Sequence, residues 1–81
     1  MADAHPAGSH AADHVTQAVA RQLRAQRGWT PPKVIAEHVG VSVQSVHAWE
    51  AGRRKMPLVA LAKVCDYHSI TVAEFCDAAG I

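Results

Sequence analysis

Between Thr30 and Gly52 the chain runs TPPKVIAEHVGVSVQSVHAWEAG, a pattern that leaves room for little except two short helices joined at a glycine turn. In the first segment Val34, Ile35 and Val39 supply an apolar face. Ala36 is small enough for another helix to approach closely, and Gly40 sits where a left-handed residue ends a helix. Val41 fills the turn. Ser42 is a good N-cap for the second segment, in which Val46 and Trp49, three apart, face inward while Val43, Gln44, His47 and Ala48 share the other side. The second helix therefore has an outward face to spare, and the rest of the chain is expected to brace or aim the pair.

The totals narrow the function classes. A chain of 81 residues suits one domain and buries only about 60% of its unfolded surface, which argues against a large enclosed catalytic cavity. Small aliphatic residues dominate and aromatics make up 5%, a composition for tightly packed helices rather than a sheet. No apolar run approaches the length of about 20 residues needed to span a bilayer, and the start MADAHPAGSHAAD lacks basic and apolar leader regions. A cytoplasmic location without membrane attachment is expected. Cys65 and Cys76 lie in apolar helical patterns and read as buried thiols. Of the six histidines only His10 and His14 have a helical four-residue spacing, with no third ligand, so neither a metal site nor a cofactor is expected. Ser42, His47 and Cys65 are the conceivable catalytic groups, and the expected helices do not gather them into a pocket with an oxyanion site; no enzyme is expected.

Net charge is +1, yet it is unevenly placed. Residues 14–55 carry seven positive side chains (Arg21, Arg24, Arg27, Lys33, Arg53, Arg54, Lys55) against Glu37 and Glu50, while the flanks are each acidic by two. The basic surface coincides with the helix pair.

Along the chain, residues 1–12 show no hydrophobic period and read as a disordered tail, leaving 13–81 as the folded domain. Asp13 caps a first helix from His14 to Arg27 with Val15, Val19, Leu23 and Ala18 as its apolar face, and Gly28 stops it. Trp29 reads as a buried anchor, and Thr30 as the cap of the second helix, with Pro31 and Pro32 in its first positions. A fourth helix runs from Met56 and Pro57 to about Tyr67, burying Leu58, Leu61, Ala62, Val64 and Cys65. Thr71 to Glu74 is a capping box opening a fifth helix that ends near Gly80.

With these residues in place, IAEHVGVSVQSVHAWEAG resembles the LAxxxGVSxxxIxxxExG signature of the phage Cro and repressor type of helix-turn-helix, through Ala36, Gly40, Val41, Ser42, Val46, Glu50 and Gly52. A looser likeness covers residues 15–77. The resemblance implies an all-α, five-helix, lambda-repressor-like fold whose second and third helices form the helix-turn-helix. It implies a transcriptional regulator that binds double-stranded DNA in a sequence-specific way, more often as a repressor. It also implies an ion pair between Arg24 and Glu50. Pro32 stands where the family usually has a glutamine that holds a phosphate.

On such a recognition helix, Gln44 is the strongest base-reading candidate, because its amide donates and accepts at once and matches the N6 and N7 edge of adenine. His47 can donate to a purine N7, while Val43 and Ala48 can touch a thymine methyl. Ser45, Arg53, Arg54, Lys55 and Lys33 are placed for phosphate contact. Folds of this kind commonly bind as two-fold dimers, and the apolar C-terminal helix, with Val72, Phe75 and Ile81, is the expected homodimer contact. The rival reading is an antitoxin-like or scaffold module, whose C-terminal face binds a protein partner and whose DNA affinity is weak.

Overall fold

The computed structural model describes the backbone of residues 4–81 and the side chains of residues 14–81, and among these there are five helices and no strand. They are α1 (Ala4–Arg27), α2 (Pro32–Val39), α3 (Val43–Glu50), α4 (Leu58–Tyr67) and α5 (Val72–Ala79). α1 begins ten residues ahead of the expected His14, so Asp13 falls inside the helix rather than at its cap. Residues 1–3, and the side chains of the rest of the segment read as a tail, lie outside the described residues.

Local chemistry sets most of the other boundaries. Gly28 adopts φ +52° and closes α1 through its N–H to the Arg24 carbonyl. α2 opens with Pro31 as its N-cap residue, extended at φ −61° and ψ 141°, with Pro32 in the first turn and no side-chain cap. Thr30 therefore does not cap it. A proline in the first turn has no N–H to satisfy, which reduces the need for a capping oxygen. Gly40 ends α2 in the left-handed region, its N–H returning to the Ala36 carbonyl. Thr71 and Glu74 form the complete capping box of α5, with Glu74 N–H donating to Thr71 Oγ1 at 2.9 Å and Thr71 N–H donating to Glu74 Oε1 at 2.8 Å.

α1 packs on α3 and α5, α2 on α3 and α4, and α4 on α5. Leu23, Ile35, Val39, Val46, Trp49, Leu61, Val64 and Phe75 share one apolar core. Alanines are buried on two of the facing helices, Ala18 and Ala20 on α1 and Ala48 on α3, and side chains this small let helix axes approach closely.

Three apolar expectations are corrected. Trp29 is 101% exposed, since the left-handed Gly28 swings the chain into a turn, closed by Thr30 N–H on the Arg27 carbonyl, that carries the indole outward. Leu58 and Ala62 are exposed on α4, whose buried side is Ala60, Leu61, Val64 and Cys65. Phe75 is fully buried and Val72 packs on the same core, so of the three residues expected at a dimer contact only Ile81 is exposed. The cause is that α5 is covered by both α1 and α4.

Candidate functional site

α2 and α3 form the helix pair expected from the sequence, and α3 is the better anchored of the two. Ser42 is its N-cap, extended at φ −74° and ψ 156°, and its Oγ accepts from Ser45 N–H at 3.2 Å. The Ser45 hydroxyl lies 3.2 Å from the same oxygen, so this half-buried side chain is partly engaged in the cap. At the other end Gly52 turns left-handed at φ +72°, and Arg53 N–H returns to the Ala48 carbonyl. The Gly52 carbonyl accepts from Gln17 Nε2 at 3.2 Å, tying the exit of α3 to α1.

Half of α3 belongs to the core: Val46, Ala48, Trp49 and Glu50 are all buried. Ala48, only 5% exposed, is thereby withdrawn from the base-reading set, because α1 lies over its side of the helix. Val43 is half-buried and packs against the core rather than standing free beside Gln44. Gln44 and His47, three residues apart and so on one helical side, are exposed. After α3 and the turn at Ala51 and Gly52 come Arg53, Arg54 and Lys55, all exposed, and Lys33 is exposed in the first turn of α2.

Glu50 is fixed from α1, though not in the expected way. Its carboxylate is held by Arg27, with Nε to Oε2 at 2.7 Å and Nη2 to Oε1 at 3.0 Å, while Arg24 Nη1 donates instead to the Glu50 backbone carbonyl. The Arg24–Glu50 ion pair is thus replaced by a division of labour. Arg27 ends α1 at the turn and also reaches the Thr30 carbonyl with Nη1 at 3.1 Å, so one guanidinium closes the α1–α2 connection and clamps α3. The hydrogen bond to Glu50 raises the Arg27 pKa further, against the opposing effect of burial. The sequence signal for this role was the position of Arg27 immediately before the helix-ending glycine.

Two further groups were not legible as functional. His38 Nε2 lies 3.5 Å from Asp66 Oδ2, and its ring meets Tyr67 edge-on at 5.3 Å, with Tyr67 in turn edge-on to His68 at 5.0 Å. Burial lowers the His68 pKa, and its Nε2 is buried with no partner among the described residues. Neither group completes a reactive set with the exposed face of α3.

Of the groups weighed for catalysis, Cys65 is buried with its thiol pushed up by burial and by Cys76, Ser42 is committed to the cap of α3, and His47 is exposed on α3. Among the described residues no three His, Cys, Asp or Glu side chains group as metal ligands; the His10 side chain falls outside those described, and His14 is exposed. No helix among them is long and apolar enough to cross a membrane.

A family model described as a helix-turn-helix domain matches residues 18–80, which takes in most of α1 and all of the remaining helices. Comparison with the curated proteins gives no match. The solved structures give none either.

Proposed function

Because this chain belongs to the helix-turn-helix domain family, whose fold points to a DNA-binding regulator, we propose that it is a sequence-specific repressor of the phage Cro and repressor type, acting in the cytoplasm by occupying an operator. One observation carries this reading. The exposed side of α3 presents Gln44 and His47 together, and beyond the turn at Ala51 and Gly52 the chain continues into the exposed run Arg53, Arg54, Lys55. A side chain that donates and accepts at once suits a base edge in the major groove, and a neighbouring cationic loop suits the flanking phosphates. In this reading Gln44 and His47 contact bases, Arg53, Arg54, Lys55 and Lys33 contact phosphates, and Ser45 adds a phosphate contact only by sharing its hydroxyl with the cap. Arg27, Arg24 and Glu50 set the angle of α3 and touch no DNA. No step of this activity is catalytic and none uses a cofactor.

Leu58 and Val59, each 69% exposed at the head of α4, favour a protein contact as well. With Phe75 and Val72 taken into the core, these two residues replace the C-terminal helix as the proposed contact for a second copy. Leu58→Asp with Val59→Asp then lowers the self-association seen by sedimentation; a dimer unaffected by the pair places the contact elsewhere.

The test is fluorescence anisotropy on the duplex immediately upstream of the gene, across a salt series and with unrelated duplex as competitor. The expected result is binding that survives competitor and weakens steeply with salt. Weak binding equal on both duplexes overturns the repressor reading in favour of a protein-interaction module.

A further inference from the structure

A groove of about 290 Å³ opens between α1, the loop after α3 and the start of α4, away from the side of α3 that carries Gln44 and His47. Its walls are mostly apolar, with Val15, Thr16 and Val19 on one side and Met56 and Leu61 on the other, and Trp49 contributes to the lining. Arg54 and Lys55 stand at it as well, and no carboxylate among the described residues lines it. An apolar trough with a cationic rim matches a molecule with a hydrocarbon body and one negative end. Its volume is at the bottom of the range of about 300–1,000 Å³ that holds drug-sized ligands, so the molecule is small.

We propose that this groove binds a medium-chain aliphatic carboxylate, its chain along Val15, Val19, Met56 and Leu61 and its carboxylate against Arg54 and Lys55. Burial of the chain supplies the affinity, and the two exposed cations supply the preference for an anion, about fivefold for pairs of that exposure. Val15, Val19, Met56 and Leu61 offer no hydrogen bond, so along them a flexible aliphatic chain is preferred over a flat polar ring.

One consequence rests on the repressor reading: Arg54 and Lys55 cannot face a ligand carboxylate and a DNA phosphate equally well at once. Binding of the carboxylate therefore weakens DNA binding, and DNA weakens carboxylate binding by the same factor.

The groove is tested without DNA, so that failure of the repressor reading leaves the result intact. The two tryptophans give separate indole N–H signals in a proton–nitrogen correlation spectrum, assigned with Trp29→Phe; Trp49 lines the groove and Trp29 is exposed elsewhere. Octanoate is titrated first and 1-octanol second. The expected result is a saturable shift of the Trp49 signal with the Trp29 signal still, and octanol binding weaker by about fivefold. In Arg54→Ala with Lys55→Ala, whose unchanged remaining spectrum reports an intact fold, octanoate falls to the level of octanol. A Trp49 signal unmoved by millimolar octanoate overturns the proposal, as does equal binding of octanol. A Trp49 shift that follows protein concentration but not octanoate assigns the groove to a second copy and equally overturns it. If octanoate binds, anisotropy on the upstream duplex then reads the coupling as a loss of DNA affinity of about fivefold.

Discussion

Arg27 and Glu50, 23 positions apart, are joined by a two-point contact in which Nε and Nη2 of the guanidinium each donate to a different carboxylate oxygen. The Arg27 side chain is 23% exposed and that of Glu50 10%, so the pair is only partly screened by water. Glu50→Gln leaves a guanidinium without its countercharge at a partly buried site. Discounted for the residual exposure, the expected loss is about 2 to 3 kcal/mol, measured by urea denaturation. Arg24→Ala removes a hydrogen bond to a carbonyl and costs about 1 kcal/mol. Equal costs for Arg24→Ala and Arg27→Ala would mean that the two arginines do not divide the work as described.

Gly52 offers a test of backbone strain at the exit of α3. A methyl group there would lie 2.3 Å from Gln17 Nε2, but the far end of a glutamine can swing away, whereas φ +72° cannot relax without moving the loop. Gly52→Ala is therefore expected to cost about 1 to 2 kcal/mol, nearly all of it torsional. Gly52→Asn is expected to cost less. Thermal melts of Gly52→Ala with and without Gln17→Ala separate the two causes: a much smaller cost in the doubly substituted chain would show that the contact dominates.

His68 makes stability depend on pH. Burial lowers its pKa from 6.5, so it stays neutral in the folded chain under conditions where the unfolded chain takes up a proton. Below that value the unfolded state binds more protons, and stability falls as the pH falls until the folded-state value is passed. Above 6.5 this contribution is complete and flat. His68→Gln is expected to remove that part of the slope, read as the difference in melting temperature between wild type and variant across the acid range. A slope unchanged by the substitution would assign the effect to another group.

Ala48 and Gln44 separate packing from reading. Ala48→Leu forces a larger side chain into the buried side of α3 and is expected to cost about 1 to 3 kcal/mol in a denaturation curve. Gln44→Ala is expected to leave stability within about 0.5 kcal/mol, as for other surface substitutions, and to reduce preference for the upstream duplex over scrambled DNA. Equal loss on both duplexes would mean that Gln44 reads no base. Arg54→Ala is expected to flatten the salt dependence of log K by about 0.9 while weakening both duplexes alike.

The parts of this structure that were legible in the sequence are those decided within a few residues. Ser42 at the head of α3, Gly40 after α2, and the Thr71 and Glu74 pair need only their neighbours to fix a helix end, and each does so. What was not legible is how wide a buried arc each short helix carries. An eight-residue helix fixes the centre of its apolar stripe, Val46 and Trp49 in α3, but its edges depend on which other helices lie on it. α3 is covered by α1 as well as α2, which takes in Ala48, and α5 by α1 as well as α4, which takes in Phe75. Trp29 failed for the opposite reason: its size suggested an anchor, while the torsion at Gly28 decided its direction. At the candidate site the exposure of Gln44 and His47 followed from helical spacing, but the partner of Glu50 did not, because Arg24 and Arg27 sit one turn apart and both reach it.

The surrender of four of the eight residues of α3 to the interior sets a limit on information. Two hydrogen-bonding side chains of α3 are exposed, Gln44 and His47. On the proposed reading, at about 1 to 3 kcal/mol of discrimination each, these two side chains give a single copy a preference of about 30-fold to about 10⁴-fold for its address over a wrong one. A chromosome offers on the order of 10⁶ or more competing positions. On that reading, two letters from one copy of α3 fall short, so a second reading helix, or a sequence-dependent bend in the duplex, is what finding one gene would require.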